Sequence, residues 1–142
     1  MPRVWTPRLF LLSLAHFTSD AYSSFLSPLL PLFVAKLHLS LSDVGALVAL
    51  SSATSSLSQP LFGAWADRLR RPWFVAFGPL LTAVFMSVAG AAPSFTSLVL
   101  VALTAGLGSA AFHPQAAALA GAEGQVRSKS MSMFVTGGTV GF

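Results

Sequence analysis

The sequence has no cysteine and little charge. The missing cysteine excludes a disulfide framework and thiolate zinc sites, and says nothing about compartment. Charged residues make up 8% of the 142 positions, against about 25% in a soluble domain. So few polar groups cannot cover the surface of a compact water-soluble fold of this length. Most of the chain is apolar: 54% of residues are hydrophobic and the mean hydropathy is +0.75. Lipid is therefore the expected solvent. The net charge of +4 does not predict a nucleic-acid partner, because the charges sit in short clusters between apolar runs.

Four apolar runs are long enough to span a bilayer: Leu9–Phe33, Val44–Ala66, Trp73–Ala92 and Phe95–Ala120. A fifth starts near Met131. The connectors are short and carry turn or cap residues: Lys36 to Asp43, Asp67 to Pro72, Ala91 to Thr96, and Gly121 to Ser130, which includes Gly124. Ser40 and Asp43 have capping-box spacing before the second run. The expected fold class is an all-α membrane protein, an antiparallel transmembrane helix bundle formed by residues 1–142. The first run is not expected to be a cleaved leader. It is too long for one, contains Asp20, Pro28 and Pro31, and lacks an A-x-A site.

Basic residues in short loops predict orientation. Arg3, Arg8, Arg68, Arg70, Arg71, Arg127 and Lys129 fall on one side of the alternating path, and only Lys36 on the other. The N-terminus is thus expected in the cytoplasm, with the chain crossing the cell membrane several times.

Ionisable groups inside spans are costly and point to function. Ser13, His16, Asp20, Ser24 and Ser27 share an arc of roughly 80° at ~100° per residue, and Tyr22 falls on the opposite side. One reading makes Asp20 the binder of a proton or cationic group, with His16 as relay or hydrogen-bond partner. The other makes the pair a structural glue between helices. Gln59 either faces a cavity or packs as an amide between helices, and Pro60 beside it interrupts the backbone ladder. Gly45, Ala49 and Ala53, four residues apart, permit close helix contact, as does the small stretch from Gly106 to Ala111. His113, beside the ladder break at Pro114, contacts substrate or proton, or is a satisfied structural group. The sequence shows no nucleotide-binding loop, metal cluster or catalytic triad. Neither an enzyme, a cofactor nor a metal is expected.

The segment from Gly63 to Pro72 resembles the signature loop of the major facilitator superfamily, G-x-x-x-D-R-x-G-R-[RK], between its second and third helices. Gly63, Asp67, Arg68 and Arg71 match, while Arg70 and Pro72 depart from the pattern. The stretches His16–Tyr22, Gln59–Gly63 and Phe112–Pro114 look like the fosmidomycin-resistance branch of that superfamily. The resemblance implies secondary active transport of small molecules, of the drug/proton antiport type of efflux, by alternating access. It implies a loop that latches one conformation, and it implies about twelve helices. Many such antiporters carry an arginine in the fourth helix. None stands there in this sequence, and His113 is the candidate to take part of its role. Gly137, Gly138 and Gly141 look like the family's glycine-rich antiporter segment.

Phe142 falls inside an apolar run, so the chain is expected to be the N-terminal part of a longer transporter whose remaining helices complete the site. Two rival readings remain. One is a complete four-helix exporter that acts as a dimer, like the small multidrug resistance proteins. The other is a membrane scaffold without transport.

Overall fold

The computed structural model describes residues 6–123 and 126–142, so Arg3 and Gly124 lie outside the described residues. The helices are α1 (Pro7–Ser24), α2 (Leu26–Leu37), α3 (Leu41–Ala66), α4 (Trp73–Val88), α5 (Phe95–Ala122) and α6 (Arg127–Gly141). A 3-10 turn, Ala89–Ala91, follows α4. No strand occurs among the described residues.

The first apolar run forms two helices instead of one. The break is at Phe25, whose N–H donates to the Tyr22 carbonyl at 3.3 Å. Pro28 cannot donate to the Ser24 carbonyl, nor Pro31 to that of Ser27, which weakens the ladder on this stretch. Phe25 keeps right-handed helical dihedrals, so α1 and α2 form one interrupted span. Pro60, Pro79 and Pro114 are carried inside unbroken helices.

Local chemistry sets the ends. At α3 the Ser40 N–H donates to Asp43 Oδ2 at 2.9 Å and the Asp43 N–H donates to Ser40 Oγ at 3.1 Å. Ser94 and Ser97 make the same reciprocal cap on α5. These bonds satisfy backbone donors that a helix start leaves free. The connector between α3 and α4 runs from Asp67 to Pro72, and α6 begins one turn before Met131.

Segments Trp73–Ala91 and Phe95–Ala122 are each long and apolar enough to cross a membrane, with mean hydropathies of 1.9 and 1.8. Helix α3, with 26 residues, reaches about 39 Å at ~1.5 Å per residue, although its serines lower its hydropathy. Leu11, Leu32, Leu57, Leu61 and Leu100 are all at least 60% exposed, as a lipid-facing surface requires.

Packing directions follow from the contacts. Gln115 reaches the start of α4, and Arg8 reaches Glu123, so α5 runs antiparallel to α4 and α1. Gly63 meets Pro114 and Ser51 meets Gly106, so α3 runs parallel to α5. Gly137, Gly138 and Gly141 climb along Ser13, His16 and Phe17, so α6 runs parallel to α1. Helix α5 lies at the centre, and its alanines let four neighbours approach.

One correction concerns α3. No atom lies within 4 Å of where a Cβ on Gly45 would stand, and Ala49 and Ala53 are exposed. The close approach of α3 and α5 instead uses Gly106, whose added Cβ would stand 3.5 Å from the Ser51 carbonyl oxygen. Spacing of small residues permits contact without choosing the face.

Two apolar cores result. One gathers Leu26, Phe33, Leu47, Met86 and Leu98 toward the end marked by Lys36. The other gathers Leu9, Leu12, Phe112, Ala116 and Phe134 toward the end marked by Arg8. The Lys36 ammonium donates to the carbonyls of Gly90 and Ala92 at 2.7 and 2.9 Å and so ties α2 to the turn after α4. A polar layer separates the two cores.

Candidate functional site

The polar layer centres on Asp20. His16, one turn earlier on α1, brings Nε2 to 3.3 Å from Asp20 Oδ2. His113 of α5 brings Nε2 to 3.2 Å from Asp20 Oδ1. Each carboxylate oxygen thus has its own imidazole. The other ring nitrogens are also engaged: His16 Nδ1 lies 2.8 Å from the Phe134 carbonyl oxygen, and His113 Nδ1 lies 2.7 Å from that of Ser109. A carbonyl only accepts, so each Nδ1 carries a hydrogen. A hydrogen bond between either Nε2 and the Asp20 carboxyl group then needs one further proton, either on the ring, which donates, or on the acid, which donates to the ring. The triad is therefore an arrangement that can hold a shared proton.

Packing keeps the rings in place. The His16 ring stacks on Phe134 with centroids 4.2 Å apart and meets the His113 ring edge-on at 5.0 Å. Gly138 makes this possible, since a Cβ there would stand 2.5 Å from the His16 ring and 2.7 Å from Asp20 Oδ2. A side chain at that position would displace the pair.

Asp20 and His113 open onto a cavity of about 410 Å³ between α1, α2, α3 and α5. Its polar wall includes Ser24 and Ser27 from the first span, and Ser51, Ser55 and Gln59 from α3. The apolar wall includes Leu26, Val48 and Met86. Among the described residues, no lysine or arginine lines it. Tyr22 instead packs into the core nearer Lys36.

The loop residues stand apart. Gly63 sits against Pro114, with an added Cβ at 3.5 Å from the proline ring. Asp67, Arg68 and Arg71 are exposed at the end of the bundle, and none forms an ion pair among the described residues. Phe62, Trp65 and Phe74 cluster beside them, with ring centroids 5.2–6.2 Å apart. At the same end, Arg8 and Thr6 hold Glu123 at 3.1 and 2.9 Å, joining the start of α1 to the end of α5.

Several contributors carry no signal in the sequence. Ser109 and Phe134 act through backbone carbonyls, which every residue has. Helix α4 starts at Pro72 without a side-chain cap of its own. The buried Gln115 supplies one from α5, its Oε1 accepting the N–H groups of Phe74 and Val75 at 3.0 and 3.3 Å. Gln115→Leu should cost about 1–3 kcal/mol by orphaning these donors, read as lower thermal stability in detergent. An unchanged melting temperature would show that water replaces the amide.

Such a bundle, apolar outside and with an ionisable triad beside a partly open polar cavity, defines an all-helical integral membrane protein. The Major Facilitator Superfamily model matches residues 12–142, and the chain belongs to that family. It is 30% identical over 131 residues to the Fosmidomycin resistance protein of Escherichia coli (strain K12), covering 92% of this chain and 32% of the relative. It is 29% identical over 138 residues to the Uncharacterized MFS-type transporter YfnC of Bacillus subtilis (strain 168), covering 95% and 33%. It is 34% identical over 93 residues to the MFS-type transporter SLC18B1 of Rattus norvegicus, covering 63% and 20%. The chain spans about a third of the length of the first two relatives. The resemblance to the fosmidomycin-resistance branch read from the sequence agrees with the first of them.

Proposed function

We propose that this chain is the N-terminal part of a secondary active transporter that exports small molecules from the cell in exchange for protons. The observation that carries the reading is Asp20, a carboxylate on the wall of a polar cavity, with an imidazole from each of two helices on its oxygens. An ionisable group at this depth belongs to a pathway more readily than to a scaffold. Because α1 and α5 share the triad, a change in its protonation alters the contact between two spans. That is the link alternating access needs between cation and conformation. The remaining helices of the transporter would close the cavity from its open side and complete the substrate site.

Arg8, Arg68, Arg70, Arg71, Arg127 and Lys129 belong to one end of the bundle and Lys36 to the other, which supports a cytoplasmic N-terminus in a multi-pass cell-membrane protein. Exposed Asp67, Arg68 and Arg71, beside Gly63, are suited to latch one state against the rest of the transporter.

The test is a transport screen with the intact protein in proteoliposomes. The name of the Escherichia coli relative makes fosmidomycin the first compound to try. Protein-dependent flux of a small molecule should rise with an opposing proton gradient and fall when a protonophore collapses it. Flux indifferent to the gradient removes proton coupling, and absence of flux across a broad panel removes transport.

A further inference from the structure

We propose that His16, Asp20 and His113 also form a binding site for a divalent transition-metal cation of the zinc and cobalt class. The inference stands on ligand geometry and does not depend on transport.

The argument starts on the far side of each ring. Both Nδ1 atoms face backbone carbonyl oxygens, of Phe134 at 2.8 Å and Ser109 at 2.7 Å. In the neutral rings this leaves the Nε2 lone pairs bare and aims both at one carboxylate. That is the tautomer a metal-ligating histidine needs, with a carbonyl as the outer partner that fixes ring orientation. Two imidazole lone pairs and a carboxylate facing one another repel unless a cation, a proton or a metal ion, sits among them.

The dimensions fit. One ligand atom from each of the three residues can be chosen so that all lie within 4.8 Å of one another. The His16 contact of 3.3 Å is to Asp20 Oδ2 and the His113 contact of 3.2 Å is to Oδ1, so an ion held by one carboxylate oxygen needs the other imidazole to swing toward it. Tetrahedral ligands at ~2.0–2.1 Å from a metal stand about 3.3–3.4 Å apart, so the three side chains must close in around the ion to complete the site. Two imidazoles suit zinc, cobalt or nickel, whereas calcium and magnesium require oxygen ligands. The carboxylate leaves a bound dication with one net positive charge. Three protein ligands leave a coordination position open. Asp20 and His113 both line the cavity, so that position faces the space where water or an oxygen atom of a cargo molecule can enter.

The test is a Co²⁺ titration of the intact, untagged protein in detergent at one neutral pH, read by visible absorption. A band saturating with one Co²⁺ per chain and displaced by Zn²⁺ is expected. His113→Gln should weaken binding by about a hundredfold or more, judged against the 10–100-fold that loss of an outer-shell partner costs. His38→Gln, at the exposed end of α2, should leave it unchanged. Circular dichroism checks that the variants fold. X-ray absorption of the wild-type complex should count two imidazoles. No band in the wild type, or a band that survives His113→Gln, overturns the site. The readout requires no flux, so a failed titration leaves the transport proposal standing, and a failed transport screen leaves the metal site standing.

Discussion

Asp20→Asn is expected to reduce gradient-driven flux to the level of protein-free liposomes while the protein still inserts and folds. The amide has the shape of the carboxyl group and can donate to one of the two Nε2 lone pairs. The contact of α1 with α5 therefore persists in part. What the amide cannot do is take up and release a proton. The cation that links the two helices is then no longer exchangeable, and flux becomes insensitive to the gradient. Flux under an imposed proton gradient, measured beside membrane yield and gel-filtration profile, checks both halves of the expectation. Undiminished proton-coupled transport in the variant would remove Asp20 from the mechanism. The neighbours that bear on this titration are few. Among the described residues, His16 from the same helix and His113 from α5 are the titratable groups that touch Asp20, and α6 presents Gly138 there.

The second large effect is steric. A Cβ on Gly78 would stand 2.7 Å from the Gly108 carbonyl oxygen and 2.8 Å from Phe112 Cβ. A Cβ on Gly108 would stand 2.7 Å from the Gly78 carbonyl oxygen and from Thr82 Oγ1. Both obstacles are backbone or short side chains inside a buried crossing, so neither can swing away. The Thr82 hydroxyl also donates here to the carbonyls of Gly78 and Ala105, at 3.2 and 3.0 Å, so separating the helices breaks that bond as well. Gly78→Ala should cost about 3 kcal/mol, the upper part of the usual overpacking range, and Gly78→Leu should prevent assembly. Gly45→Ala should have the opposite sign, a gain of about 0.5–1 kcal/mol, because it improves helix propensity in open space. Thermal unfolding in detergent of both alanine variants gives the comparison. A Gly78→Ala protein as stable as the wild type would show that α4 and α5 do not cross as closely as described.

The contrast between Gly78 and Gly45 shows how far a sequence can be read. Both are glycines inside apolar helices, and Gly45 has the more suggestive spacing with Ala49 and Ala53. Yet Gly78 lies in the crossing and Gly45 does not. In lipid, association depends on which faces fit, and small residues are common on several faces of these helices. The break at Phe25 is a related case. Pro28 and Pro31 announce a weakened ladder, but Pro60, Pro79 and Pro114 do the same and leave their helices whole.

The candidate site divides along the same line. The face shared by Ser13, His16 and Asp20 is legible because a single helix sets its period. His113 is legible as an oddity beside Pro114, but its partner is not, since the two histidines meet across helices far apart in the chain. The cluster behind the metal proposal was illegible for the same reason: the spacing of His16 and Asp20 brings two side chains together, and only packing brings the third.

The amino-acid sequence by itself determined the solvent, the helical class, the helix cap at Ser40 and the family. Each depends on transfer energies or hydrogen bonds that act within a turn or two of chain. The tertiary structure alone decided that α5 lies at the centre, that α6 runs parallel to α1, and that two imidazoles converge on Asp20. Those outcomes depend on how surfaces fit between distant segments, and that fit has no local period to read.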